Sequence, residues 1–184
     1  GNPMSSIMFG TNNILVNSNT SGDFLLAADS ATTNYYDVNT ITFDRNTPSW
    51  TFQVGSNNVL RLAKAGALFL RVNNAGNTCI IGQGANGANG TATGAGFITA
   101  GGSVVNTPGQ LTIINDTTGS SSTQNWDLDS QIIDNGTGAV TLVKAGPGFI
   151  KLRNHNSYSG GTYILQGRVQ LANELSGSGT LPDV

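Results

Sequence analysis

The sequence predicts an all-β chain whose short parallel strands coil into a solenoid, and three observations carry that expectation. Short apolar runs of about four to six residues recur between Gly, Asn, Asp and Pro along the whole length. Helix formers are scarce: 25 residues are Gly, and Asn, Ser and Thr supply roughly a third of the chain, a mixture that favours turns and strands. The breaks between runs are mostly single glycines and short polar corners, which bend a strand without reversing it.

In chain order the runs are "NNILVNSN" from Asn12, "VNTITFDRN" from Val38, "SWTFQVGSNN" from Ser49, "VLRLAKAG" from Val59, "ALFLRVNNAGN" from Ala67 and "TCIIGQG" from Thr78. They continue with "GQLTIIND" from Gly109, "NWDLDSQIIDNG" from Asn125, "GAVTLVKAG" from Gly138, "GFIKLRNHN" from Gly148, "TYILQG" from Thr162 and "GRVQLAN" from Gly167. Each mixes β-branched or aromatic residues with polar ones and stops at a turn former. About a dozen strands of this length suit a sandwich, a barrel or a solenoid. The turns discriminate, because the Asn-Gly pairs at Asn86 and Asn89 have no strand immediately beside them and only Asn135-Gly136 suits a two-residue hairpin. In a solenoid, single coils cannot bury their own apolar face, and stacking builds the core. A period of about 20 residues predicts about eight or nine rungs and a coil roughly 40 Å long. "KAGALFLRVNN" from Lys64 echoes "KAGPGFIKLRN" from Lys144, which reads either as a recurring rung or as chance alternation.

At 184 residues the chain predicts one domain, 1–184. A net charge of -2 and eight scattered cations give no nucleic-acid footprint. No apolar run is long enough to span a membrane, and "GNPMSS" is not a basic-then-apolar leader, so any export signal has been removed or lies outside this sequence. The single Cys79, in apolar surroundings, predicts a buried structural thiol. N-x-S/T matches at Asn19, Asn89, Asn115 and Asn135 are expected by chance in so polar a chain and carry no weight.

From Gly138 to Asn173 the sequence "GAVTLVKAGPGFIKLRNHNSYSGGTYILQGRVQLAN" resembles the autotransporter-associated β-strand repeat of bacterial passenger domains. The pattern Leu-x-Lys-x-Gly-x-Gly-x-Leu-x-Leu, then Asn, Tyr-x-Gly-Gly-Thr and Gly-x-Leu-x-Leu is filled by Leu142, Lys144, Gly146, Gly148, Ile150, Leu152, Asn156, Tyr158, Gly160, Gly161, Thr162, Gly167, Val169 and Leu171. Phe149 stands where Thr is usual, Val169 replaces Leu, and "RNHN" brings an Asn where Gly or Ala is usual. Upstream, "IMFGTNN", "VNTITFDRN", "SWTFQVGSNNVLRL" and "QNWDLDSQIIDNGTGAVTLVKAG" resemble the lead-in rungs of such a repeat. The resemblance implies a right-handed parallel β-helix exported to the bacterial surface, serving as a stalk or adhesin scaffold, with no catalytic residue in the repeat itself.

For chemistry, the strongest cluster is Asp127, Asp129 and Asp134 in "WDLDSQIID". Alternation puts Asp127 and Asp129 on the outward face, where they form either an acid pair or a solvated surface, and the second is the expectation. His155 sits in a polar corner with neither a Cys nor a second His in its segment, which argues against zinc, and no G-x-S-x-G supports a triad. "GQGANGANGTATGAG" lacks the Lys-Ser/Thr of a phosphate loop and reads as a turn-rich loop. Tyr35 and Tyr36 are expected at the surface, where they are candidates for sugar stacking, and Trp50 in the core.

The prediction is therefore a non-catalytic extracellular solenoid with no cofactor or metal site. Its partners are neighbouring rungs, head-to-tail copies of itself or surface glycans, and the competing reading is a carbohydrate-binding or polysaccharide-degrading β-helix. Period-two alternation turns Ile150, Leu152, Ile164, Val169 and Leu171 inward and Lys151, Arg168 and Gln170 outward. Neither "GNPMSSIMFG" nor "LSGSGTLPDV" shows a cap, so the segment is expected either to continue into further rungs or to pair end to end.

Overall fold

The structure, a computed structural model, describes residues 11–17, 24–27, 30–44, 50–71, 78–82, 95–117, 125–171, 173–174 and 177–178; among them every regular element is a strand. The first sheet follows β1 (Asn13–Val16), β3 (Asn34–Phe43), β5 (Asn58–Leu70), β8 (Gly109–Asn115), β11 (Val140–Ala145) and β13 (Thr162–Ile164). The second follows β2 (Phe24–Ala27), β4 (Trp50–Val54), β6 (Thr78–Ile81), β9 (Asn125–Leu128), β12 (Phe149–Leu152) and β14 (Arg168–Leu171). All pairings in both sheets are parallel, and the chain alternates between the sheets. The short pair β15 (Asn173–Glu174) and β16 (Gly177–Ser178) is antiparallel.

A further run of pairing flanks the first sheet. The β3–β5 register shifts between Val38, paired with Leu62, and Thr40, paired with Ala67, so the two halves of these long strands pair in separate registers. The leading half of β5 continues onto β7 (Phe97–Ala100) and from there to β10 (Gln131–Ile132), while its trailing half pairs with β8.

Parallel in-register pairing lines like positions into columns that run through the stack, which is how a strand too short to bury itself acquires a core. One column is Trp50, Cys79, Trp126, Ile150 and Val169; its neighbour is Phe24, Phe52, Ile81, Leu128, Leu152 and Leu171. Phe43 of the first sheet bridges to the second, with its ring centroid 5.0 Å from Trp50, 5.3 Å from Phe52 and 6.0 Å from Trp126. The core expectation for Cys79 and Trp50 is met, since both are buried.

The sheets are six strands deep along their main paths, where about eight or nine rungs were expected. Only the last coil, Leu142 to Thr162 in the first sheet and Phe149 to Arg168 in the second, has the assumed period of about 20 residues. Earlier coils are longer, from Asn13 to Thr40 and, longest, from Cys79 to Trp126. The two Lys-Ala-Gly segments are not equivalent rungs: Lys64 to Phe69 lies within β5, whereas Lys144 to Phe149 turns from one sheet into the other. Asn135 and Gly138 do form a tight antiparallel bridge, with Gly136 at φ 67°, but the strands on either side of it both pair in parallel.

Ile150 and Leu152 are buried and Val169 is partly so, as alternation requires, and Arg168 and Gln170 are exposed. Ile164 and Leu171 are not buried, being 50% and 44% exposed. They keep their places in the inward columns, but β13 and β14 are the outermost strands of their sheets, so no further strand of the sheet covers them. Lys151 is half-buried rather than solvated, because it leans towards Asp127 at 4.0 Å.

Candidate functional site

The acidic cluster is built by β9 and β12, which pair Lys151 with Asp127. Trp126 and Leu128 take the inward positions and leave Asp127 facing out, as alternation predicts. The expectation of a solvated face is overturned: Asp127 is 5% and Asp129 0% exposed. Arg153, one step beyond β12, reaches back so that its Nη1 lies 3.1 Å from Asp127 Oδ2 and 3.5 Å from Asp129 Oδ1. Asn154 Nδ2 donates to the Asp129 carbonyl at 2.8 Å. Sequence alternation gave the outward direction, but the cover that a cation from the next coil supplies depends on register.

The third acid is elsewhere. Asp134 Oδ1 accepts from the Val140 and Ser159 amides at 2.8 and 2.9 Å, and Oδ2 accepts from Ser159 Oγ at 2.7 Å. It fastens the turn at Asn135 to the loop before β13 and does not join Asp127 and Asp129. Among the described residues no three or more His, Cys, Asp or Glu side chains gather as a metal site would require.

A concave pocket of about 420 Å³ opens on the flank run, lined by Tyr35, Thr99, Ile133, Asp134, Asn135, Gly136 and Ser157. Register explains its floor. Ile98 and Ala100 are fully buried, so Thr99 between them faces outward, in line with Arg61 of β5 and Asp37 of β3. Arg61 holds Asp37 through two contacts, Nε–Oδ1 at 2.5 Å and Nη2–Oδ2 at 3.0 Å, and its guanidinium carbon lies 4.4 Å over the Tyr35 ring. Thr99 is 1% exposed and its Oγ1 has no hydrogen-bond partner.

The remaining sequence candidates resolve individually. Tyr35 is exposed as expected, but Tyr36 is half-buried against the core because the next position along β3 points inward. His155 is exposed, and its amide donates to the side chain of its neighbour Asn154. Asn115 is buried, with Nδ2 on the Phe149 carbonyl at 2.7 Å and Oδ1 accepting from Thr117, and Asn135 donates to the carbonyls of Val104 and Thr107. Both amides serve the fold and are closed to modification. Asn19, Asn89 and nearly all of "GQGANGANGTATGAG" lie outside the described residues.

The motif residues also have structural work. Asn156 Oδ1 accepts from the Ile132 amide at 2.9 Å, and buried Tyr158 shares a 2.6 Å hydroxyl–hydroxyl bond with Thr162. Burial pushes the Tyr158 pKa up, partly offset by that bond. Of the pocket, the sequence singled out Tyr35 as a stacking candidate and Asp134 as an acid, but not the cavity itself, because its walls come from four segments that only register brings together. No known protein family, curated protein or solved structure matches the chain.

Proposed function

We propose that the chain is a right-handed parallel β-helix segment serving as a non-catalytic scaffold on the bacterial cell surface, of the autotransporter passenger type. The observation that carries this reading is the pair of parallel sheets visited alternately, with side-chain columns running through every coil. Such an architecture gives length and rigidity from little sequence information, which is what a stalk needs. Right-handedness follows the strong chiral preference of parallel crossovers. The residues that carry the family resemblance agree with it, since Gly146 and Gly167, at φ 77° and 76°, occupy the equivalent corners of successive coils.

At the outer edge, Tyr163, Ile164, Leu165 and Leu171 are all at least 44% exposed, an apolar surface suited to a further coil. The coil is supplied either by a neighbouring rung or by a second copy stacked head to tail, and the latter contact propagates into filaments. The paired Asp127 and Arg153 belong to the wall of this scaffold.

The test combines antibody labelling of intact and lysed cells that make the native protein with micrographs of the purified chain over a concentration series. Surface labelling and rod-shaped particles are expected. Labelling confined to lysed cells, or turnover of any polysaccharide in a hydrolysis screen, refutes the reading.

A further inference from the structure

We propose that the flank pocket formed by Tyr35, Thr99, Ile133, Asp134, Asn135 and Ser157 binds a neutral sugar unit of a glycan. Its lining includes none of Tyr163, Ile164, Leu165 and Leu171, so the pocket can be altered without changing the exposed apolar edge. Three features select the ligand.

The first is the aromatic wall. Tyr35 is 50% exposed although Arg61 covers one ring face, so the other face is open to a ligand. A rigid ring with one free face suits the C–H surface of a pyranose, at little cost in side-chain entropy.

The second is Thr99. A buried hydroxyl without a partner costs free energy in the empty state and recovers it when a ligand hydroxyl arrives. Ser157 Oγ accepts only one long bond, 3.3 Å from Gln131 Nε2, and keeps its own hydrogen to donate.

The third is charge. Arg61, whose guanidinium covers the Tyr35 ring, is already paired with Asp37, and the wall carries the carboxylate of Asp134. An anionic sugar is repelled there. A metal ion is poorly served too, because Asp134 already accepts three hydrogen bonds and is the only carboxylate among the described lining residues. The volume, about 420 Å³, falls in the range of small-molecule sites.

The test uses the full chain. An array of neutral oligosaccharides built from hexoses and N-acetylhexosamines finds the binder, and saturation-transfer NMR titration measures its Kd. Thr99→Val keeps the shape and removes only the hydroxyl; it is expected to weaken binding about 2- to 10-fold while the melting temperature holds or rises. Tyr35→Ala is expected to weaken binding by a similar factor or more. Should Tyr35→Ala unfold, Thr99→Val alone decides. A blank array, a preference for sulfated or uronic-acid glycans, or a Kd unmoved by Thr99→Val overturns the assignment.

Discussion

Lys144 stands in register with Ile113, in an inward column that otherwise consists of Ile14, Ile41, Leu68, Ile113 and Ile164. Its side chain is fully buried, and no carboxylate is among its hydrogen-bond partners. The ammonium donates instead to three carbonyls, those of Ala145 at 2.6 Å, Gly146 at 2.8 Å and Gln166 at 3.2 Å. The first is the last residue of β11, the second lies in the corner after it and the third in the corner after β13, so one cation ties two successive coils together.

This arrangement predicts an unusual pH dependence. Burial lowers the Lys144 pKa from 10.5 to about 8. Below pH 8 both states carry the proton and the desolvation cost is fully present. Between about 8 and 10.5 the unfolded chain binds the proton more strongly than the folded one, so stability rises with pH, by at most about 1.4 kcal/mol per pH unit. Tyr158 works in the opposite sense, but only above its ordinary value of 10.0. Urea titrations at pH 7.5, 8.5 and 9.5 are expected to show increasing stability, and Lys144→Met to lose that increase.

Position in the stack, and not alternation alone, decides what a column residue contributes. Leu152 and Leu171 are in-register neighbours, yet Leu152 is 0% and Leu171 44% exposed. Leu152→Ala is expected to cost about 2 to 5 kcal/mol by leaving a cavity, and Leu171→Ala less than about 1. Denaturant midpoints of the two variants check this; equal losses would mean that a further coil covers Leu171 in solution.

That contrast marks how far the sequence was legible. Local alternation identified Trp50, Ile150 and Leu152 as core because period two is a property of the strand itself. The burial of Lys144, Asp127 and Asp129 was not legible, since it depends on which residues of the next coil lie alongside. Rung number failed for a similar reason: coil length varies with the segments between strands, and Ala65 finds its neighbour only at Gln110. Tyr35 was legible as a sugar-stacking candidate, but the pocket around it was not, because only register brings Thr99, Asp134 and Ser157 to its side.

Arg153 provides a test of whether the acidic cluster is structural. Replacing it with Met keeps most of the buried stem but removes the cation beside Asp127 and Asp129, both nearly inaccessible. Removing one partner of a buried charge pair is expected to destabilise by about 3 to 5 kcal/mol. A denaturant titration of Arg153→Met that matches the unsubstituted chain would show that the carboxylates have solvent access.

The motif glycines give the last prediction, which separates packing from conformational need. Gly160 does not have a positive φ, so alanine meets no backbone penalty there, but its Cβ would lie 2.5 Å from both the Val140 carbonyl oxygen and Thr141 Oγ1. Gly160 also holds β11, through its amide to the Val140 carbonyl at 2.9 Å and its own carbonyl to Thr141 Oγ1 at 3.0 Å. The threonine rotamer can yield; the backbone oxygen cannot without breaking the pairing of β11 with β13. At Gly167 both conditions apply, because φ is 76° and a Cβ would run into the Gly148 carbonyl. Gly160→Ala is therefore expected to loosen the last coil selectively, seen as faster amide exchange in β13 than in β8, and Gly167→Ala to cost more, about 1 to 3 kcal/mol from backbone strain before any clash is added. If Gly160→Ala leaves exchange in β13 unchanged, the contact with Val140 is not what selects glycine there.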